Sequence, residues 1–317
     1  MKPPYEITSE ILKYIASISE KIGIVNAKFL TKTNPTLRKQ NQIKTIHSSL
    51  SIEGNTLSEE QITAILENKR VIGPQKDIVE VLNALEVYKN LNQFQYNKEK
   101  DFLKAHQFLM KDLIENAGKY RTKTVGIVKG SKVEHIAPPA ENLSFLMKDL
   151  FEYVKDKSEL TLIKSCVFHY EMEFTHPFMD GNGRMGRLWQ TLILMNEYPI
   201  FEFLPFETLI SKNQDNYYKA LSDSDKAGKS TQFIEYMLKI IDQSILELLE
   251  NTTKKLSGND RISIFLENIE GAFTRKEYIN YFKNISSATA SRDLKAAADM
   301  KIITKSGDKK TTIYKKG

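Results

Sequence analysis

Apolar side chains recur at intervals of three and four through most of this chain, in sets such as Ile7, Ile11 and Ile15, then Val79, Leu82, Leu85, Val87 and Leu91, then Leu103, Phe108 and Leu109. That spacing puts each set on one helical face and predicts a bundle. Stop and start signals agree: Gly54-Asn55 closes one helix, and Ser58 with Gln61 three residues on predicts a capping box opening the next. One segment departs from the period. The β-branched Thr124, Val125, Ile127 and Val128 precede Lys129-Gly130-Ser131-Lys132 and then Val133, which predicts a β-hairpin, closed by Pro138-Pro139 before a helix over 142–154. An isolated hairpin is marginal in water, so it is expected to pack on the bundle as a lid or docking strand, with a plain connector as the bland alternative.

Past an apolar helix over 233–249, residues 251–259 are polar and lack a period, which marks a domain boundary. The C-terminal segment beyond it reads as a helix, a second helix over 274–282, a third over 286–294, and two short strands near 301–305 and 311–314. Helix, turn, helix and hairpin predict a winged helix. The expected fold is therefore mostly α, a helical bundle with a β-hairpin flap plus a small C-terminal winged-helix domain. A length of 317 residues suits two such units.

Composition changes this picture in three places. Residues 254–317 hold 14 of the 46 Lys and Arg and 7 of the 40 Asp and Glu, a balance of +7, which leaves 32 basic and 33 acidic residues, or −1, for the first 253. A basic unit suggests a polyanionic partner such as DNA, although lysine also serves simply to solubilise. The single cysteine, Cys166, excludes an intramolecular disulfide and points to a reducing, cytoplasmic setting. No stretch approaches the roughly 18 uninterrupted apolar residues of a membrane span, so membrane insertion is not expected.

The chemistry is concentrated in His176-Pro177-Phe178-Met179-Asp180-Gly181-Asn182-Gly183-Arg184-Met185-Gly186-Arg187, followed by the apolar helical run Leu188 to Met195. Gly181 and Gly183 let backbone approach a ligand, and the free amides of a helix start bind anions. Arg184 and Arg187, three apart, reach the same side, which is more positive charge than one phosphate needs and suits a polyphosphate. Asp180 among these donors suggests Mg²⁺ bridging phosphate oxygens. His176 is the residue able to accept a proton near neutral pH. The loop is not a Walker A sequence, since no Gly-Lys-Ser/Thr comes after it, nor a dinucleotide fingerprint, since no strand precedes it.

These twelve residues resemble the Fic-family signature, His-Pro-Phe, any residue, Asp-Gly-Asn-Gly-Arg, two residues, Arg. Gly118-Lys119-Tyr120-Arg121 and the hairpin with His135 and Pro138-Pro139 resemble that family too, so the likeness covers roughly residues 40–250. It implies an N-terminal helical region over 1–100 with an inhibitory helix at about 40–54, a catalytic core over 101–250, and the winged helix at 258–317. It also implies AMP transfer from ATP to a Tyr, Thr or Ser hydroxyl of a protein, the chain itself included, with His176 taking the hydroxyl proton. Asp180 would bind Mg²⁺, and Gly181, Asn182, Gly183, Arg184, Gly186 and Arg187 would hold the phosphates. Phe178 would anchor the loop. The flap residues Val133, Glu134, His135 and Ile136 would align the target by strand addition, and Tyr217 and Tyr218 would line the adenine pocket. A homodimer is a further expectation of the family.

Ser49-Leu50-Ser51-Ile52-Glu53-Gly54 resembles the inhibitory motif of the same family, Ser or Thr, three residues, Glu, then Gly or Asn. Glu53 stands at a helix end, where the dipole disfavours its charge and a nearby cation is wanted. The resemblance implies that this cation is Arg187, that the pairing inhibits transfer, and that the same carboxylate can direct water to remove AMP from a modified protein. A nucleotide-sensing regulator that binds DNA through Thr289, Ser291, Arg292 and Lys295 is the alternative function, and a relative that transfers phosphate or phosphocholine a third. His169 and His176, with Glu171 and Glu173 between them, lack the i, i+4 histidine pair of a zinc helix. Cys166 is expected in the core, Trp189 against the bundle, and His47 and His106 have no readable role.

Overall fold

Helices dominate the computed structural model, which describes residues 2–29, 35–129, 132–253, 257–269, 271–282, 285–307 and 312–316. Two units divide the chain, Met1–Thr31 with Gln40–Leu248 and Lys32–Lys39 with Leu249–Gly317. The first contains α1 (Ser9–Phe29), most of α2 (Pro35–Ile52), α3 (Glu59–Leu66), α4 (Gln75–Lys89), α5 (Glu99–Leu109), the strands β1 (Gly126–Lys129) and β2 (Lys132–Ile136), α6 (Leu143–Lys155), α7 (Thr161–Thr175), α8 (Asn182–Glu197), α9 (Glu207–Lys212), α10 (Gln214–Ala227) and most of α11 (Thr231–Thr253). The capping box expected at Ser58 is present: its hydroxyl accepts from Gln61 N while the Gln61 side chain accepts from Ser58 N. Gly54 turns the chain out of α2 at φ +90°, a conformation that favours glycine.

An aromatic cluster fixes the centre of this unit. Phe102 of α5 is buried with its ring centroid 5.1–6.0 Å from those of Phe151, Phe168, Phe178 and Trp189. The cluster thus joins α5, α6, α7, α8 and the loop between α7 and α8. Trp189 is buried as expected, and its indole N–H donates to Tyr96 O at 2.8 Å. Cys166 is likewise buried.

The apolar pattern misplaces two positions. Ile7 and Leu82 are 51% and 50% exposed. Ile7 precedes the first turn of α1 and so lies outside the helical period. On α4 the buried stripe is Asp77, Glu80, Val81, Asn83, Ala84 and Val87. Three of these six are polar, because they hydrogen-bond the turn after α2, an arginine of α8 and the end of α5. Buried polar groups with partners are stable there, but a search for apolar spacing reads that face as solvent.

The two-stranded hairpin pairs Gly126 with Ile136, Ile127 with His135, Val128 with Val133 and Lys129 with Lys132, with an irregularity between Ile127 and Val128. β2 runs beside α10. The expected turn at Gly130-Ser131 lies outside the described residues, as do the side chains of Val133, Glu134, His135 and Ile136.

The second unit contains α12 (Gly258–Glu267), β3 (Ala272–Phe273), α13 (Arg275–Tyr281), α14 (Ser287–Asp299), β4 (Ile303–Ser306) and β5 (Ile313–Lys316). Its antiparallel sheet has the order β3-β5-β4, and β3 is a strand that the sequence pattern did not suggest. Ile262, Phe265, Phe273, Tyr278, Leu294 and Ile303 lie in its core. Arg261 donates twice to the buried Asp293, at 2.7 and 2.9 Å, and Tyr278 Oη once, at 3.1 Å. Arg292 and Lys295 stand on the exposed face of α14. The linker at 254–256 and the segment 308–311 of the expected basic hairpin lie outside the described residues.

Since Phe102 contacts four rings at once, Phe102→Ala should destabilise the first unit by about 3–5 kcal/mol. A denaturant titration read on Trp189 fluorescence checks this, and a loss below about 1 kcal/mol would show that the cluster relaxes around the cavity.

Candidate active site

Helix α7 ends because His176 adopts the left-handed conformation, φ 47° and ψ 58°, while its N–H still donates to Met172 O at 3.0 Å. A non-glycine residue there carries a local cost of about 1–2 kcal/mol, so surrounding contacts must hold it. Buried Arg121 does so. Its Nε donates to His176 O at 2.7 Å and its Nη2 to Thr175 O at 3.3 Å and Pro138 O at 2.6 Å. Its Nη1 donates to Lys123 O at 2.8 Å and its backbone N–H to Pro177 O at 2.8 Å. One guanidinium thereby ties the loop to both ends of the hairpin. His176 Nδ1 lies 3.4 Å from Glu173 O, which assigns the proton to Nδ1 and leaves Nε2 as the accepting nitrogen.

The rest of the loop is held from beneath. Phe178 is buried and stacks on His106, with ring centroids 3.6 Å apart and planes 4° from parallel. Asn182 closes the loop on itself, accepting from Phe178 N and donating to Phe178 O, both at 2.9 Å. His106 Nδ1 accepts from Gly118 N at 2.8 Å, so its Nε2–H is the donor to Asp180 O at 3.0 Å. Burial pushes the His106 imidazolium down to about 4, which keeps the ring neutral and that tautomer in place. Gly181 comes next at φ +83°, where a Cβ would sit 2.7 Å from Met110 Sδ. Helix α8 then starts with no side-chain cap, so the amides of Asn182, Gly183 and Arg184 have no intrahelical acceptor.

Two buried guanidiniums stand beside that open helix end. Arg184 donates from Nη1 to Glu80 Oε1 at 3.0 Å and from Nη2 to Asp180 Oδ1 at 2.9 Å. Arg187, 0% exposed, donates from Nε to Ser49 Oγ and from Nη2 to Ser49 O, each at 3.0 Å, and from Nη2 to Glu53 Oε1 at 2.7 Å. Arg184 Nε and Arg187 Nη1 are buried with no hydrogen-bond partner among the described residues. A Cβ on Gly183 would lie 3.0 Å from Arg187 Nη1 and 3.3 Å from Glu173 Oε1 and would collide with Glu53. The absence of a side chain there leaves a space bordered by the Arg187 guanidinium and by the carboxylates of Glu53 and Glu173. Gly186 lets α8 approach α7, since a Cβ would come within 2.6 Å of His169.

Below Arg187, the buried Tyr217 Oη donates to Glu173 Oε1 and lies 3.0 Å from His169 Nε2. Burial raises the Glu173 carboxyl, but His169, His176 and Arg187 outweigh it and the net shift is downward. Tyr218, beside Tyr217, is 38% exposed. The Asp180 side chain is 46% exposed. Among the described residues no set of three or more His, Cys, Asp or Glu could cage a metal. A cation held here would have one protein carboxylate, Asp180, and would take its remaining ligands from phosphate and water, a donor set suited to Mg²⁺.

The structure thus gathers His176, Asp180, Gly181, Asn182, Gly183, Arg184, Gly186, Arg187, Ser49, Glu53 and Tyr217 around one helix N-terminus. The sequence reading never reached Glu80, gave His106 and Glu173 no role, and took Arg121 only as part of the Gly118–Arg121 resemblance. The available signal was the same for His106 and Glu80, a polar residue on the face that a helix turns toward its neighbours.

The profile of the Fic/DOC family matches residues 96–194. Protein adenylyltransferase fic-1 of Caenorhabditis elegans is 32% identical over 214 residues, which are 63% of this chain and 40% of the relative. Protein adenylyltransferase Fic of Nematostella vectensis is 29% identical over 237 residues, 70% of this chain and 52% of the relative. The chain spans about half the length of these curated relatives. The crystal structure of a Fic family protein from Desulfovibrio desulfuricans G20 superposes with a TM-score of 0.77 at 37% identity, covering 100% of this chain and 98% of that one.

Helix α9 faces the Ser49–Glu53 segment. Ser48 Oγ donates to Thr208 Oγ1 at 3.2 Å, and the Ser51 and Ser211 hydroxyls are 2.8 Å apart. Glu207, the first residue of α9, is wholly buried. Burial pushes its carboxyl from 4.5 up to about 8, against the opposing charge of Arg187. A carboxyl that is neutral when folded and ionised when unfolded contributes stability that is complete below about pH 4.5 and is lost as pH rises toward 8. Glu207→Gln should therefore flatten the pH dependence of unfolding free energy across that window, with the wild type the one that declines. Parallel wild-type and variant profiles would mean that Glu207 is already ionised in the folded chain.

Proposed function

The chain belongs to the Fic family, and from this premise we propose that it is a protein adenylyltransferase moving AMP from ATP to a Tyr, Thr or Ser hydroxyl of a protein. The observation that carries this reading is the pair of buried guanidiniums beside an uncapped helix start, with Arg187 Nη1 and Arg184 Nε lacking partners among the described residues. Several donors converging on one cradle suit a polyphosphate better than a single anion. The names of the curated relatives favour transfer over the DNA-binding regulator.

On this reading the amides of Asn182 and Gly183 and the side chains of Arg184 and Arg187 hold the phosphates, and the loop brings the α-phosphorus opposite the incoming hydroxyl. The hydroxyl oxygen forms a bond to that phosphorus, the bond to the β-phosphate oxygen breaks, and pyrophosphate leaves. His176 Nε2 takes the hydroxyl proton, with Nδ1–H directed at Glu173 O. Orientation and charge stabilisation supply most of the rate. Mg²⁺ held by Asp180 would neutralise phosphate charge. Strand β2 offers backbone for a target segment to add to, and the exposed Tyr218 is better placed than the buried Tyr217 to meet a base.

Glu53 acts as a brake in this scheme. Its carboxylate occupies Arg187 Nη2, the group that would take the γ-phosphate, and the same oxygen would overlap a side chain placed on Gly183. A carboxylate in that position can also direct water onto an AMP-protein bond, so removal of AMP belongs to the proposal. So do self-modification, a homodimer and a cytoplasmic setting in which ATP is supplied.

The test is transfer of label from α-labelled ATP with Mg²⁺ to protein. Glu53→Gly should raise incorporation at least about tenfold, His176→Ala should abolish it, and the double variant should be as inactive as His176→Ala. Label that is absent in every variant despite nucleotide binding would overturn the transferase reading.

A further inference from the structure

The turn that carries Glu53 reaches the site by a second route. Asn55, two residues on, is buried. Its Nδ2 donates to Glu80 Oε2 at 2.8 Å and to Asp77 O at 3.1 Å, while its Oδ1 accepts from Leu57 N at 3.1 Å. Thr56 adds bonds from N and Oγ1 to Asp77 Oδ2, at 2.8 and 2.6 Å. The turn is thereby fastened to α4. The other oxygen of Glu80, Oε1, accepts from Arg184 Nη1 at 3.0 Å, with the exposed Lys76 Nζ 3.9 Å away.

Both guanidiniums of the site are thus bound by one short turn. Arg187 is held directly by Glu53, and Arg184 is held through Asn55 and Glu80. A guanidinium is a planar fork, so fixing Nη1 from behind decides which edge faces the loop. With Nη1 on Glu80, the groups left for the loop are Nη2, now on Asp180, and Nε, which is buried without a partner among the described residues. An arriving phosphate would replace Asp180 on Nη2, whereas the bond to Glu80 can persist.

We propose that Glu80 is a positioning residue that couples the turn after the inhibitory helix to Arg184, so that Asn55 helps to set the affinity for nucleotide. This rests on the nucleotide-binding reading of the site. It differs from the Glu53 brake, because it runs through Arg184 and favours binding in place of opposing it. If Glu80 only neutralised Arg184, replacing Asn55 would leave nucleotide affinity unchanged.

ADP binding by calorimetry, which needs no turnover, separates the two. Asn55→Ala and Glu80→Gln should each weaken ADP binding about tenfold, the scale of one charge-assisted hydrogen bond. The double variant should be no weaker than Glu80→Gln alone, because the two residues act on one path. The Asn55→Ala loss should persist in a Glu53→Gly background. Melting curves identify any variant that fails to fold, and Asn55→Ser then serves as the milder replacement. Unchanged affinity in a folded Asn55 variant, additive losses in the double variant, or disappearance of the loss in Glu53→Gly would each overturn the coupling. A wild type that binds no ADP would overturn the nucleotide reading beneath it.

Discussion

A fully buried guanidinium must have a counter-charge, and the arrangement of this site depends on where Arg187 finds one. Leaving such a charge uncompensated costs about 3–5 kcal/mol. Arg187 meets the requirement with Glu53 and two bonds to Ser49, both from α2 and its end, more than 130 residues away in sequence. Its Nη1 instead faces the start of α8, where Gly183 leaves room that any side chain would fill. The glycine that opens the anion cradle is therefore the residue that also admits Glu53. On the proposed reading, nucleotide and Glu53 share a space because both answer to the same buried cation.

The loop can present this cation only because its backbone is held rigidly. His176 sits in a left-handed conformation, and the carbonyls of Thr175, His176 and Pro177 take their donors from Arg121. Buried side chains do the holding. Arg121 supplies donors to four carbonyls with its guanidinium, and neutral His106 supplies one to Asp180. A hydrogen bond made by a buried, stacked ring is difficult to exchange for water, so the loop is shaped before a ligand arrives. Such preorganisation suits a reaction whose acceleration comes chiefly from position.

What the residues themselves made legible lies close together in the chain, while the Glu53–Arg187 pairing, 134 residues apart, came from the family resemblance. The His176–Arg187 stretch shows its chemistry within twelve residues, the Ser58 capping box within four, and the Gly54 turn in one residue. The hairpin showed itself as a break in the helical period. The supports of the site were not legible, because each acts across the fold: 74 residues separate His106 from Asp180, and 104 separate Glu80 from Arg184. Apolar periodicity even misled on α4, where Leu82 faces solvent while Asp77, Glu80 and Asn83 face inward. A polar residue on a buried face is recognised only when its partner is known. The two-residue strand β3 was hidden for a related reason, since its pairing with β5 alone defines it.

The burial of the Glu53–Arg187 pair is unequal, and this gives the proposed brake a direction. Arg187 is wholly enclosed, while the Glu53 side chain remains 30% exposed. On separation, Glu53 regains water at once and recovers most of its hydration. Arg187 cannot follow it into solvent, because its stem is enclosed within α8 and the elements around it. The mobile member is therefore the carboxylate, and the fixed member is the cation that nucleotide would use. An incoming phosphate need only outcompete a partly hydrated glutamate for a guanidinium already in place. The opposite distribution, a buried glutamate and an exposed arginine, would disassemble the phosphate site each time the pair opened. On the proposed reading, inhibition by a partly exposed residue in the turn after α2 permits release without loss of the binding geometry.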